Sequence, residues 1–229
     1  MGGQRARVMP LNDGSWAAVM TPSRSMTLVS DELVERCVEW ARHRGFKEIR
    51  TGALGALEQC VYLRAGFETR SELRVLAADC GQLRVPSDHG WDYRECGSDM
   101  YGALAEVDLA AFGEDVGLGL ATLREVISAT PQAAVGAVFD RGRDLSGYAV
   151  FGNASAIGYV QRLAVVPAAR RRGAGSGLLA AGVAWMKSRA TKRVFVNTEL
   201  TNTAALNLYR SAGFEDQPTN LSTLALRLR

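Results

Sequence analysis

VQRLAVVPAARRRGAGSGLL, residues 160–179, decides how this chain is read. An apolar run ends at Val166 and Pro167. Arg170, Gly173 and Gly175 follow and open an amphipathic helix expected over 175–189. Glycines let backbone N–H groups approach a ligand closely. The unpaired N–H groups of a helix start, with its dipole, form an anion site. Arg170, Arg171 and Arg172 add charge suited to phosphate. Two phosphate-loop patterns fail here. Walker A needs Gly-Lys, which does not occur. The dinucleotide fingerprint is met formally from Gly175 through Gly177 and Ala180, but the strand ended nine residues earlier. Phe195 and Asn197 also stand where its acid belongs. An arginine-rich surface helix start is the bland alternative.

Outward from this loop, VNTELTNTAALNLYRSAGFE (196–215) reads as a strand and then a helix capped by Asn202. Ala205, Leu208, Tyr209 and Ala212 share one face of that helix, and Gly213 ends it. Upstream, the periodicity gives strands over 4–10 and 15–21, a helix from Ser30 or Asp31 to about Arg44, a strand 47–51, a helix 55–65 and strands near 67–79. Residues 81–90 read as a linker. Beyond it come a strand 91–96, a helix from a Ser98 cap through Phe112 and a second helix over 118–129. Leu104, Val107 and Ala111 form the first helix's apolar stripe, interrupted by Asp108. Strands near 132–139, 145–151 and 157–166 precede the loop; strands at 193–198 and 221–228 and a helix at 203–212 follow it. This order predicts an α/β fold with a mixed sheet. There is also an internal echo. LVERCVEW (33–40) resembles LLAAGVAW (178–185), and YLRAGFE (62–68) resembles YRSAGFE (209–215). Chance between two αβα units is one account; a duplicated half-fold with a shorter first copy is preferred. Trp40 and Trp185 are expected in the core.

The loop Arg-x-x-Gly-x-Gly after a strand ending V-x-P, joined to N-x-x-A-x-x-x-Y-x-x-x-G-F, closely resembles the GNAT N-acetyltransferases over residues 158–215. The chain is similar to actinobacterial members with a degenerate N-terminal half. The resemblance implies a GNAT acyl-CoA N-acyltransferase fold in tandem form: residues 1–88 a shortened half without a CoA loop, 89–229 the catalytic domain. It implies acetyl-CoA as co-substrate and a primary amine, small or on a protein, as acceptor. Backbone groups of Leu163, Ala164 and Val165 would meet pantetheine where two strands part. Arg170, Arg171, Arg172, Gly173, Ala174, Gly175 and Ser176 would form the diphosphate cradle. Asn202 would touch pantetheine, though capping explains it nearly as well. Tyr209 would face the departing sulfur as acid or hydrogen-bond donor; core packing is its other reading. Asn197 stands where related enzymes place a glutamate base, which leaves Glu199, a water chain, or a solvated strand-end acid. Glu106, Asp108, Glu114 and Asp115 could draw in a cationic acceptor or simply form a wet face. A CoA-binding regulatory module without turnover is the rival from another class. Residues 22–31 of the first copy hold no Arg-x-x-Gly-x-Gly, so that half is expected to bind no CoA and to complete the sheet or wall the acceptor cleft.

Composition sets the outer bounds. The chain has 229 residues, 47% apolar and 22% charged, with net charge +3. That is globular composition, too weakly basic for nucleic-acid binding by field alone. Only Lys47, Lys187 and Lys192 are lysine; arginine supplies the other basic residues. No apolar run approaches the roughly 20 residues of a membrane span, and the opening MGGQRARVMP has no apolar signal core. Cys37, Cys60, Cys80 and Cys96 form no C-x-x-C, and only His43 and His89 could join them, so neither a metal site nor a disulfide framework is expected. Scattered thiols fit a cytoplasmic location. The sequence allows a homodimer and does not require one.

Overall fold

The computed structural model describes residues 4–22, 28–86, 90–141 and 143–229. They form two compact units, one of residues 1–74 with 218–229, the other of 75–217. The division therefore differs from the expected one at 88/89, a point outside the described residues. The final strand pairs inside the first unit, and residues 75–86 belong to the second.

In the first unit, β1 (Ala6–Pro10) and β2 (Ala17–Pro22) form an antiparallel hairpin. Helix α1 (Asp31–His43) then crosses over to β3 (Glu48–Thr51), parallel to β2. The Ser30 hydroxyl caps α1 by accepting the Leu33 N–H at 3.3 Å, and Leu33, Val34, Cys37, Val38 and Ala41 form its buried stripe. After α2 (Ala56–Arg64) the chain enters β4 (Glu68–Asp79), whose residues 68–74 stay in this unit. The last strand, β11 (Leu221–Arg227), lies antiparallel between β3 and β4. Its Leu224 is fully buried with Met20, Ile49 and Tyr62. Trp40 is not core as expected: it is 38% exposed, stacked on Phe46 with Arg44 over its ring.

In the second unit, β4 residues 75–79 are followed in sheet order by β9 (Arg193–Glu199), β8 (Ile157–Val165), β7 (Leu145–Ala154), β6 (Gln132–Phe139) and β5 (Asp92–Glu95). The short β10 (Glu215–Asp216) pairs β4 antiparallel. Alternate sheet residues point to opposite faces. Ala149, Phe151 and Val160 pack with α5 (Ala174–Ser188) and α6 (Thr203–Ala212); Tyr148, Val150 and Ala164 pack with α3 (Tyr101–Phe112) and α4 (Leu120–Ile127). Helix α3 starts at Tyr101 rather than behind a Ser98 cap, because residues 97–100 close a turn through Met100 N–H to Gly97 O at 3.1 Å. Of the expected linker, Leu83 is buried and Arg84 N–H reaches Ala212 O, while 87–89 lie outside the described residues.

The two units share one order of elements: strand, crossover helix, parallel strand, helix, glycine, strand. The glycines are Gly66 at φ 87° and Gly213 at φ 101°, left-handed positions that glycine occupies without strain.

Candidate active site

The site is built where two parallel strands part. β8 and β9 pair only from Ile157–Arg193 to Val160–Val196, although β8 runs on to Val165 and β9 to Glu199. The parting has a local cause. On the other edge of β8, Val160 faces Phe151 and Arg162 faces Val150, so Gln161 is an extra residue against β7. Such a bulge bends the strand that carries it, and β9 loses its partner at that residue.

Past the bulge, Val166 N–H bonds Ser146 O on the β7 side at 3.0 Å. Backbone polar groups alternate along a strand, so those of Ala164 also face β7. Those of Leu163 and Val165 open on the unpaired edge. Of the three residues expected to offer backbone contacts, the structure turns two toward the gap. Ala164 is buried against α3 and α4 instead. The Val165 carbonyl on the open edge already accepts Arg170 Nε at 3.2 Å.

The loop reaches α5 through a 3-10 turn at Pro167–Ala169 and two left-handed residues, Arg171 at φ 56° and Gly173 at φ 88°. The first α5 bond runs from Gly177 N–H to Gly173 O at 2.9 Å. The N–H groups of Ala174, Gly175 and Ser176 therefore precede the intrahelical ladder and carry the positive end of the helix dipole. A Cβ on Gly175 would stand 3.3 Å from Leu208 Cδ2, 3.8 Å from Leu163 and 3.9 Å from Val165. A methyl there would only touch these side chains, so it takes a larger side chain at this position to fill the space between α5, α6 and β8.

These features bound a cleft of about 940 Å³. Leu163, Val165, Arg170, Arg171, Gly173, Gly175, Ser176, Glu199, Asn202 and Tyr209 all line it. The three adjacent arginines part company. Arg171 lines the cleft. Arg170 also lines it, but its guanidinium is committed to Ala111 O (2.6 Å) and Val165 O, tying the loop to α3 and β8. Arg172 turns away: its guanidinium lies 5.5 Å from the Trp91 ring, and its carbonyl accepts Trp91 Nε1 at 2.7 Å. The Ala174 side chain is buried, so only its amide can serve.

Asn202 caps α6, its Oδ1 accepting Ala205 N–H at 3.1 Å, and lines the cleft as well. Glu199 is half-buried in the cleft wall, whereas Asn197 is exposed and outside the lining. Tyr209 is 5% exposed and packs edge-on against Phe214 at 5.7 Å. Burial pushes its pKa up, and the positive charge of Arg162 opposes part of that rise.

Sequence reasoning missed the part played by two residues at the site, Asp108 and Arg162. Asp108 is not a surface attractor for cations: it is fully buried. It accepts Arg162 Nε (2.8 Å) and Nη2 (2.6 Å), the Tyr148 hydroxyl (2.5 Å) and Leu118 N–H (2.7 Å). The signals were an acid on an apolar helix stripe and an arginine inside an apolar strand. Among the described residues no cluster of His, Cys, Asp or Glu could hold a metal ion, and no helix is long and apolar enough to cross a membrane.

Comparison with known proteins agrees with this fold. A tandem GNAT protein from the clavulanic acid biosynthesis pathway superposes with a TM-score of 0.64 at 14% identity, covering 98% of this chain and 78% of its own. A GCN5-related N-acetyltransferase from Kribbella flavida gives 0.60 at 15%, covering 97% and 89%. Another from Sphaerobacter thermophilus gives 0.59 at 17%, covering 98% and 76%. At these identities the likeness speaks for the fold alone. No curated protein matches the sequence. The model of the acetyltransferase (GNAT) family matches residues 101–214, from the start of α3 to Phe214, which takes in the bulge, the open edge, the loop and Tyr209. Through that region the chain belongs to the GNAT family of acetyltransferases.

Proposed function

We propose that the second unit is an acetyl-CoA-dependent N-acetyltransferase that passes the acetyl group to a primary amine by direct attack on the thioester. The observation that carries this reading is the open β8 edge at Leu163 and Val165, which lines one cleft with Gly175 and Ser176 at the start of α5. The cleft suits a long ligand with an anionic end. The amides of Ala174, Gly175 and Ser176, with Arg171, suit a diphosphate. The Leu163 and Val165 edge suits the amide-bearing pantetheine arm, which it can take as an added strand. An N–H on that edge can polarise the acetyl carbonyl as charge develops on its oxygen.

In the reaction a C–N bond forms, the C–S bond breaks and its electron pair leaves on sulfur. The attacking amine must first shed a proton, since an ordinary alkylammonium has a pKa of about 10.4. Glu199, which lines the cleft, is the carboxylate that receives it, directly or through water. Tyr209 holds its own proton firmly because burial disfavours the phenolate. Its part is therefore to donate a hydrogen bond to the sulfur. It can yield the proton only as the same dry surroundings make the thiolate more basic.

The first unit is read as a degenerate half of a tandem. It repeats the element order and the Tyr-x-x-x-x-Phe ending, as Tyr62–Phe67 against Tyr209–Phe214, without the glycine loop that holds a diphosphate.

The test is thiol release from acetyl-CoA with a panel of amines, beside calorimetric CoA binding. Tyr209→Phe should lower kcat/KM by roughly 10- to 100-fold with CoA affinity unchanged. Binding without release, indifferent to Tyr209→Phe, would instead make the chain a CoA-binding module.

A further inference from the structure

Arg162 stands on β8 one residue past the bulge, with 18% of its side chain exposed. Asp108 holds it through two hydrogen bonds. Two further contacts are not needed to pair the charges. Nη2 also donates to Val116 O at 3.2 Å, and the guanidinium lies 4.0 Å from the Phe112 ring centroid. Phe112 and Val116 line the cleft. Asp108 meanwhile holds Leu118 N–H. One ion pair thus gathers the end of α3 and the loop after it and fixes both to the strand that forms the open edge. Tyr209 lines the same cleft as Phe112 and Val116, and Ala111, next to Phe112, is bonded through its carbonyl to Arg170 of the loop before α5.

Apart from the Arg170 guanidinium bonded to Ala111 O, the chemistry of this part of the cleft is apolar. Ala111, Phe112 and Val116 face the cleft, and Glu199 is the sole carboxylate among the described residues lining it. Asp108 is spent on Arg162. Glu114 and Asp115 are exposed and do not line the cleft. A polycationic acceptor would find one negative charge there; an aryl or alkyl body would find a surface to bury.

We propose that Arg162 is a positioning residue for the acceptor: locked to Asp108, it fixes Phe112 and Val116 as an apolar wall of the cleft that Tyr209 also lines, so that the amine taken is one carried on an apolar body. This rests on the acetyl-transfer reading above.

The test uses the full chain with acetyl-CoA and two acceptors, 2-phenylethylamine and spermidine. The expected result is a kcat/KM for phenylethylamine at least about tenfold above that for spermidine; a preference for spermidine overturns the acceptor class. Arg162→Lys keeps the charge but loses the planar fork. It should raise KM for phenylethylamine roughly tenfold, with kcat and CoA affinity within about twofold. Parallel loss of kcat, KM and CoA affinity would mark a general packing defect and overturn the positioning role. Phe112→Ala leaves the ion pair intact and should raise the same KM; an unaltered KM overturns the wall. If no amine is acetylated, the acetyl-transfer reading fails and the acceptor class falls with it. The clamp is then judged on the free protein. Amides of 116–118 should exchange about tenfold faster in Arg162→Lys, and unchanged exchange overturns it.

Discussion

Tyr62 and Tyr209 show how one residue in one local pattern takes two fates. Each lies in the last turn of a helix, each has a left-handed glycine four residues on, and each packs edge-on against a phenylalanine five residues on. Tyr209 meets a cleft. Tyr62 is 1% exposed, and its hydroxyl finds no hydrogen-bond partner among the described residues. An unsatisfied buried hydroxyl costs about 1–3 kcal/mol, so Tyr62→Phe should leave the protein as stable or raise stability by about 1 kcal/mol at neutral pH. The pH dependence has a definite sign. Burial, then the charges of Cys37 and Glu58, push the Tyr62 pKa up to about 12, whereas the unfolded chain holds it near about 10. The folded state thus keeps a proton that the unfolded state releases. Stability from this group is complete below pH about 10 and is lost as pH rises through about 12. Denaturant melts at pH 7 and pH 11 should show Tyr62→Phe losing less stability between the two than the parent. A variant weakened at pH 7 and equally alkali-sensitive would mean that the hydroxyl has a partner worth keeping.

At the scale of elements, the bulge at Gln161 and the glycine loop act together: one opens the strand edge, the other opens the route to it. Gly175→Trp should fill the passage between Leu163, Val165 and Leu208. CoA affinity should fall by about 100-fold or more while the circular dichroism spectrum and melting point hold. Calorimetric titration reads the outcome, and unchanged affinity would remove the loop from the site. Elements of this kind were legible in the sequence because their causes are local. The α1 stripe, the Ser30 and Asn202 caps and the glycine stops are written within four residues of where they act. What sequence could not show were partners set by folding. Asp108 looked like a flaw in a helix stripe because Arg162 lies 54 residues on. Three consecutive arginines looked like one phosphate grip, yet Ala111 and Trp91, brought in by other elements, claim the first and third. Trp40 was placed in the core alongside Trp185, but α1 turns its buried stripe elsewhere.

At the scale of the whole molecule, the chain ends where it began. Residues 218–229 belong to the unit formed by the first 74 residues. β11 is a middle strand there, paired with β3 through Ala225–Arg50, Leu226–Ile49 and Arg227–Glu48, and with β4 from Leu221–Leu73 to Ala225–Glu68. Without it, the facing edges of β3 and β4 would stand open, and open edges invite pairing with other chains. Leu224 would also leave a vacancy among Met20, Ile49 and Tyr62, and a buried leucine lost from a core costs about 2–5 kcal/mol even as a truncation to alanine. These contacts join residues far apart in sequence, so the first unit closes only once residues 221–227 are available to it. A chain stopped after residue 217 should therefore fail in its first unit. Brief proteolysis should cut it within residues 1–74 under conditions that leave the full chain intact, with rising aggregation at higher concentration. Leu224→Ala should give the same cleavage pattern, more slowly. If the shortened chain resists protease as well as the parent, β11 is an ornament on a unit that closes without it, and the division of the molecule must be drawn elsewhere.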